Sequence, residues 1–600
     1  MSARRADAIV PMTPRALLPS NGWAHLRALV RASELYLAML AALVGTGTGA
    51  VVVGMSAVTK LLHLKLFSVP LEDGLSAATT LPRWSLAVPA VGGLVLGLTV
   101  TAFARRRKRA IVDPIEANAL HGGQMSLSDS VVLAVQTVIS NGFGASVGLE
   151  AGYTQIGSAF GSRAGRAFRL RRQDMRTLVG CGAAAAISAA FNAPITGAFY
   201  AFELIIGSYA IATMAPVMAA SIAAVLAATS LGGVSAPLAL GPLVAISAGD
   251  YPLFMAIGLI CGLFGIGIMR AVSLVEAGVA RLRVPTPIRP VLGGAVLGGL
   301  AMLSPQVLSA GHGALHVELT ASTTLTALLT ALVLKSLGSI VSLGTGFRGG
   351  LFFASLFLGA LIGKVAAAVS VWFWVAAPLN STTMALVGMC ALAVSIVGGP
   401  LTMTFLVLET TGDLAITGVA LAASVIASLT VRELFGYSFS TWRLHLRGET
   451  IRSAHDVGWI RNLTVGRMMR TSISTVRADE TLAEFRQQFP LGSATRVIAV
   501  DRDGRYAGLV LVAEAHAPET VAKHEARTVG DIARYKDVVL RPQMNVREAI
   551  ALFDRAESEE LAVVDGIVAP RVVGVLTEAH ALRRYAEETD RARRSLVGEA

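Results

Sequence analysis

One acidic side chain, Glu150, lies in the glycine-rich stretch from Asn141 to Gln155, with uncharged sequence from Ser130 to Leu149 before it and from Ala151 to Ser162 after it. In an apolar chain such an acid is costly, and ionisable residues retained there face an interior pathway and serve function. Glycines let backbone N–H groups approach a ligand, and a helix that starts in such a turn offers its first N–H groups to an anion. The structural alternative is a helix cap or a salt bridge to a neighbouring helix, although Ser or Asn caps a helix at lower cost.

A second glycine-rich stretch is Gly349-Gly350-Leu351-Phe352. Arg348 beside it either adds a positive potential or snorkels to an interface. The two stretches belong to a repeat. Gly148 and Ile156-Gly157 pair with Gly350 and Leu358-Gly359, and Pro194–Glu203 lines up with Pro400–Glu409, sharing Pro, Thr, Phe and Glu. Paired halves with glycine-interrupted segments indicate a transporter-type fold with its ion site between the halves. Glu203 and Glu409 hold equivalent places and read as structural, hydrogen-bonded acids. His121, His312 and His316 show no metal-ligand spacing and read as loop or interface residues, while Lys335 and Lys364 lie in apolar runs from which a lysine can snorkel.

The elements that carry these residues must span a bilayer. The chain is 54% hydrophobic and 15% charged, with a mean hydropathy of +0.63, too apolar for a water-soluble globule. Runs such as Leu35–Thr59, Trp84–Ala104, Leu204–Gly249 and Val365–Leu408 reach or exceed the roughly 20 residues a spanning helix needs, and several must hold more than one helix. Continuous apolar runs exclude a β-barrel, whose strands alternate. The net charge of +12 sits in short clusters such as Arg105–Arg109 and Arg163–Arg172, which the positive-inside rule explains better than nucleic-acid binding. Residues 1–33 read as a retained cytoplasmic arm. Cys181, Cys261 and Cys390 lie in apolar segments without paired or metal-like spacing and read as small buried hydrophobes. No phosphate loop or nucleophile triad points to an enzyme.

The apolar pattern, 34–447, gives way through a linker, 448–461, to a soluble region, 462–588, and a tail, 589–600. The soluble region repeats an order of helix (Asp479–Phe489, then Asn545–Ala556), strand (Thr495–Val500, then Leu561–Val564) and strand (Gly508–Val512, then Arg571–Leu576), with a closing helix at Thr577–Glu587. This resembles a tandem pair of CBS modules, often regulatory and sometimes nucleotide-binding. The adenosine-phosphate signature Gly-x-x-Thr/Ser-x-x-Asp is incomplete. His580 ends Gly574-Val575-Leu576-Thr577-Glu578-Ala579-His580 where Asp belongs, and Leu511 replaces Thr or Ser after Gly508. A packing or dimerisation role stands beside nucleotide binding, and no other cofactor is indicated.

The membrane region resembles the CLC family of chloride channels and proton-coupled chloride exchangers over most of Pro114–Arg447. Its Gly-Lys/Arg-Glu-Gly-Pro pattern stands here as Gly148-Leu149-Glu150-Ala151-Gly152, its Gly-x-Phe-x-Pro as Gly350-Leu351-Phe352-Phe353-Ala354, and a family helix start as Ala190-Phe191-Asn192-Ala193-Pro194. The resemblance implies that Glu150 is a gate, swung away or protonated for chloride to pass, and that the backbone at Gly148, Leu149, Ala151, Gly350, Leu351 and Phe352 binds the anion. It places Leu204 at the internal proton-transfer glutamate and Ile111 at a serine hydroxyl ligand. A late tyrosine ligand falls on Ser440, with Tyr437 near enough to substitute. Fewer hydroxyl donors mean weaker binding, since each donor to a charged ligand contributes about 1.5–3 kcal/mol.

The expectation is therefore an all-α polytopic membrane protein with a CLC-type repeat fold and half-helices, followed by a small α/β tandem CBS domain. It is expected to be a homodimer in the cell membrane, with its termini and CBS pair cytoplasmic and chloride or a related anion as substrate. Leu204 cannot carry a proton, which favours a passive glutamate-gated channel over a proton-coupled antiporter. A magnesium-type cation transporter, which CBS pairs also accompany, would call for clustered acids, and the intramembrane acids here are few and dispersed.

Overall fold

The computed structural model describes residues 22–72, 74–106, 111–233, 246, 248–321, 323–373, 380–447, 463–517, 528–566 and 570–597. Most of the arm 1–33, the end of the Arg105–Arg109 cluster and the linker 448–461 lie outside them. The chain forms two compact units, Met1–Asp456 and Val457–Ala600.

The first unit is helical. After α1 (Gly22–Ala32) and α2 (Glu34–Phe67) come α3 (Val88–Arg106), α4 (Pro114–Leu120), α5 (Leu127–Gly142), α6 (Glu150–Ala167), α7 (Arg172–Phe191), α8 (Pro194–Tyr200) and α9 (Ile211–Ser230). The second half holds α10 (Tyr251–Arg281), α11 (Arg289–Leu303), α12 (His312–Thr320), α13 (Leu325–Gly344), α14 (Phe352–Phe373), α15 (Ser381–Val397), α16 (Pro400–Thr411), α17 (Leu414–Leu434) and α18 (Phe439–Leu446). Among the described residues, 7 helices are long and apolar enough to cross a membrane. The runs expected to hold several helices do so: Val365–Leu408 contains the end of α14, all of α15 and most of α16. With no water inside a bilayer, side-chain hydroxyls must find partners on their own helix. Thr48 and Thr59 of α2 accordingly donate to the carbonyls of Val44 and Met55, one turn back, at 2.7 and 2.9 Å.

The two halves match in their punctuation as well as their order. α7 ends at Asn192 and α15 at Gly398, both in the left-handed conformation, with φ of 55° and 91°. Each is followed by a proline at the start of the next helix, Pro194 and Pro400. Gly and Asn tolerate that conformation and Pro is preset for a first helical turn, so both corners stop one helix and start another at once. Glycines also set the closest helix crossings. A Cβ on Gly182 would lie 1.9 Å from the carbonyl oxygen of Gly157, and one on Gly359 would lie 2.2 Å from that of Gly388, so the α6–α7 and α14–α15 pairs touch backbone to backbone in both halves.

The equivalent helices run in opposite directions, which the sequence alone left open. Glu409, near the end of α16, accepts hydrogen bonds from the N–H groups of Ile195 and Thr196 at 2.8 and 2.7 Å and from the Thr196 hydroxyl at 2.6 Å. Glu203 follows α8 in the π-helical segment Ala201–Ile206. It receives the same three bonds from Leu401 and Thr402, at 3.0, 2.8 and 2.6 Å. Each acid thus caps the start of the other half's helix, and α8 and α16 lie antiparallel as an inverted repeat requires.

The second unit holds a three-stranded sheet, β1 (Thr475–Arg477), β2 (Arg496–Val500) and β3 (Tyr506–Leu511), with β1 parallel and β3 antiparallel to β2. A second sheet pairs β4 (Glu560–Asp565) with β5 (Arg571–Thr577). Its helices include Leu482–Gln488, Val546–Ala556 and Glu578–Val597, close to the spans the sequence suggested; β1 is an added strand. The halves of this unit interlock through their caps: Thr481, capping the first of these helices, bridges Thr528, and Asn545, capping the second, bridges Thr464.

The crossing at Gly182 gives a prediction. Gly182→Val would force apart two backbones with no room to give and should cost about 1–3 kcal/mol. Thermal unfolding of the detergent-solubilised protein should show a clearly lowered midpoint, whereas an unchanged midpoint would contradict the contact.

Candidate functional site

The starts of α6 and α14 meet. The Gly148 N–H donates to the Gly350 carbonyl at 2.9 Å and the Gly350 N–H donates back at 3.3 Å, an isolated antiparallel bridge between the halves. The first N–H groups of a helix have no intrahelical acceptor. Those of Leu149, Ala151, Leu351 and Phe352 donate to no backbone carbonyl among the described residues. Two of them come close together: a Cβ placed on Gly350 would lie 3.9 Å from the nitrogens of both Ala151 and Phe352. Two half-helices therefore aim positive ends at one spot, an arrangement suited to a small anion. Phe352 is held over this region by Phe191 and Tyr200 of the first half, with ring centroids 4.9 and 6.2 Å away.

Glu150 is the first residue of α6 and is 4% exposed. Its carboxylate folds back to its own N–H, and its Oε2 has no hydrogen-bond partner. That oxygen rests on Gly148, where an added Cβ would lie 1.8 Å from it, so only glycine leaves the space it occupies. Among the described residues the acid is neither salt-bridged nor capping another helix, in contrast with Glu203 and Glu409, which cap α16 and α8. It lines a cavity of about 500 Å³, with Lys60, His63, Asn141, Ser309, His312 and Phe353 among the other walls.

A second cavity, of about 160 Å³, is lined by Leu204, Glu203, Tyr437 and Ser438 and shares no lining residue with the first. Leu204 is half-buried beside Gly398, 3.9 Å from where a Cβ there would stand. The Tyr437 hydroxyl lies 3.3 Å from Nδ1 of His445. Ser440 is exposed, Ile111 is half-buried in the approach to α4, and neither lines either of these two cavities. The structure thus brings together Gly148, Leu149, Glu150, Ala151, Gly350, Leu351 and Phe352, while Leu204 and Tyr437 line the second cavity.

Lys335 and Lys364 do not snorkel, contrary to expectation. Lys335 is 0% exposed and donates to the carbonyls of Val307 and Ser309. Lys364 donates to the carbonyls of Glu318 and Ala321 and lies 3.8 Å from the Glu318 carboxylate. Inward-facing carbonyls supply what the polar headgroup region would otherwise have to supply. His312 stacks on Phe353 with ring centroids 3.5 Å apart, and His121 is exposed, 3.5 Å from Glu116. All three cysteines are buried and free. In the second unit, Gly508 and Gly574 of the incomplete signature sit where the backbone of Arg534 and of Arg470 crosses, each leaving about 3 Å for a Cβ. His580 is half-buried and pairs with Arg583 at 3.0 Å.

Sequence reasoning missed Lys60, His63, Asn141, Ser309 and the placement of Lys335. One signal was available: Lys335, Ser339 and Ser342 are polar residues at helical spacing on the otherwise apolar α13.

The sequence profile described as voltage gated chloride channel matches residues 92–432. A putative chloride channel protein ClcB-like from Ralstonia nicotianae is 31% identical over 348 residues, 57% of this chain and 81% of that protein. The voltage-gated ClC-type chloride channel ClcB of Escherichia coli is 29% identical over 376 residues, 62% of this chain and 89% of that protein. Among solved structures, a slow cyanobacterial Cl−/H+ antiporter matches with a TM-score of 0.60 at 21% identity, covering 68% of this chain and 97% of that one. A eukaryotic CLC transporter matches with a TM-score of 0.56 at 16% identity, covering 92% and 98%.

Two methyl groups probe the junction in opposite ways. In Gly350→Ala the nearest heavy atom to the new methyl is 3.6 Å away, so the protein should fold, but the methyl occupies the space the N–H groups face and anion flux should fall severalfold. In Gly148→Ala the methyl displaces the Glu150 carboxylate, and flux should persist with a weakened pH dependence. Flux assays on both variants in liposomes check this; identical effects of the two would contradict it.

Proposed function

Because the chain belongs to the voltage-gated chloride channel family, we propose that it conducts chloride passively through the junction of α6 and α14, with Glu150 as the outer gate. The supporting observation is the Glu150 carboxylate lying against Gly148 with no hydrogen-bond partner for Oε2 among the described residues, close to the N–H groups of Ala151 and Phe352. Ionised, the carboxylate competes with chloride for these donors; protonated or swung into the adjoining cavity, it frees them. Each such donor contributes about 1.5–3 kcal/mol to holding a charged ligand.

Passive conduction is favoured over proton exchange by the absence of a titratable side chain at Leu204. Its neighbour Glu203 does not take over, because both its oxygens are engaged in capping α16. A relay acid must be free to bind and release a proton, and three donors to one carboxylate oppose that. We also propose, from the family resemblance, a homodimer with one pathway per subunit in the cell membrane, and a cytoplasmic C-terminal unit built as a tandem CBS pair with a regulatory role.

The test is purified protein in liposomes under an imposed chloride gradient, with chloride efflux and external pH recorded together. Chloride efflux without proton movement is expected. Uphill proton movement that an uncoupler abolishes would establish the antiporter instead. Glu150→Gln should flatten the pH dependence of the flux; a variant that keeps the wild-type profile would remove Glu150 from the gate.

A further inference from the structure

We propose that Lys335 is a positioning residue for the outer gate, holding the turn that carries Glu150 through Ser309 and Asn141. The inference rests on Glu150 being that gate. Lys335 lies in the middle of α13, pairs with no carboxylate among the described residues, and is fully buried. Burying an ammonium is expensive unless its protons are taken up. Here two carbonyls of one short loop take them, that of Val307 at 3.2 Å and that of Ser309 at 2.6 Å.

The loop is fixed in turn to the gate. Ser309 adopts a left-handed conformation, φ 56°, uncommon for a residue with a side chain. Its N–H donates to the Gly144 carbonyl at 3.2 Å, and its hydroxyl donates to Oδ1 of Asn141 at 3.2 Å. Asn141 then donates from Nδ2 to the Val147 carbonyl at 2.6 Å, and the next residue is Gly148 of the inter-half bridge. The same face of α13 grips the turn a second time. Ser342 accepts from the Ser146 N–H at 3.0 Å, and the Ser339 and Ser146 hydroxyls lie 3.1 Å apart.

Lys335, Ser339 and Ser342 therefore clasp the segment Asn141–Gly148 from one side, and the lysine is the member that also fixes Ser309. The family pattern expects a basic residue beside the gating acid, where this chain has Leu149. A lysine from another helix now stabilises the same turn from behind.

The experiment measures chloride flux against external pH for the full-length protein in liposomes, comparing wild type with Lys335→Met, Ser309→Ala, the double variant and Glu150→Gln. Loosening the turn takes the Glu150 carboxylate off its own N–H, which favours the ionised form, so its pKa rises. The pH midpoint of flux should then move upward by about half a unit or more in both single variants. The groups that titrate around Glu150 are Lys60, His63, Glu72, Tyr153, Tyr200, His312, His316 and Glu409. Ser309→Ala alters none of them and leaves the Lys335 bonds to backbone in place, so it also covers the case in which Lys335→Met fails to fold. Because the links act in series, the double variant should shift no further than Lys335→Met. A shift in Lys335→Met without one in Ser309→Ala, or additive shifts, would overturn the inference. If Glu150→Gln flattens the profile while both single variants keep the wild-type midpoint, the inference fails and the gate stands. If Glu150→Gln keeps the wild-type profile, the gate itself fails.

Discussion

Two hydrogen bonds between Gly148 and Gly350 join the starts of α6 and α14, and the bare Gly148 leaves the space in which the Glu150 carboxylate rests. Everything distinctive about the membrane unit follows from bringing two helix starts to one place. Each start has N–H groups with no carbonyl to satisfy them, and in a membrane interior water is not there to help. Such a junction is stable only with a negative group in it. The protein supplies one in Glu150, held loosely and without a partner for Oε2, and so leaves the place open to exchange with a mobile anion.

The same physics is used differently a short distance along each half. Glu203 and Glu409 also sit at helix starts, but each accepts three hydrogen bonds and is fixed. One carboxylate type thus has two fates, set by the donors around it. The capped pair ties the halves together across α8 and α16. The uncapped acid is left free to move, and the small cavity at Leu204 has no titratable group in reserve that is not already engaged in a cap or paired, as Tyr437 is with His445.

The placement of Glu150 in a glycine turn, its pairing with the Gly350 stretch and the apolar spans were legible in the sequence because each is a local pattern. The direction of the repeat was not, since antiparallel packing shows only in contacts such as Glu409 with Thr196, 213 residues apart. The two lysines were misjudged for a related reason: an apolar run shows a charge without its ligands, and Lys335 finds its carbonyls on a separate loop. Ser440 matched a tyrosine position by spacing, yet the first turn of α18 leaves it exposed. Spacing fixes a position along the chain, whereas the facing direction of a short helix depends on its cap, here Ser438 with Thr441.

The central claim is that an anion is held by backbone N–H groups where α6 and α14 meet. Anomalous diffraction from crystals of the Glu150→Gln variant grown in bromide tests it most directly, because bromide replaces chloride and reports its own position. The account predicts a bromide peak beside Gly350, within hydrogen-bonding reach of the Ala151 and Phe352 nitrogens. Ordered bromide elsewhere in the membrane unit, with none between the two helix starts, would contradict it.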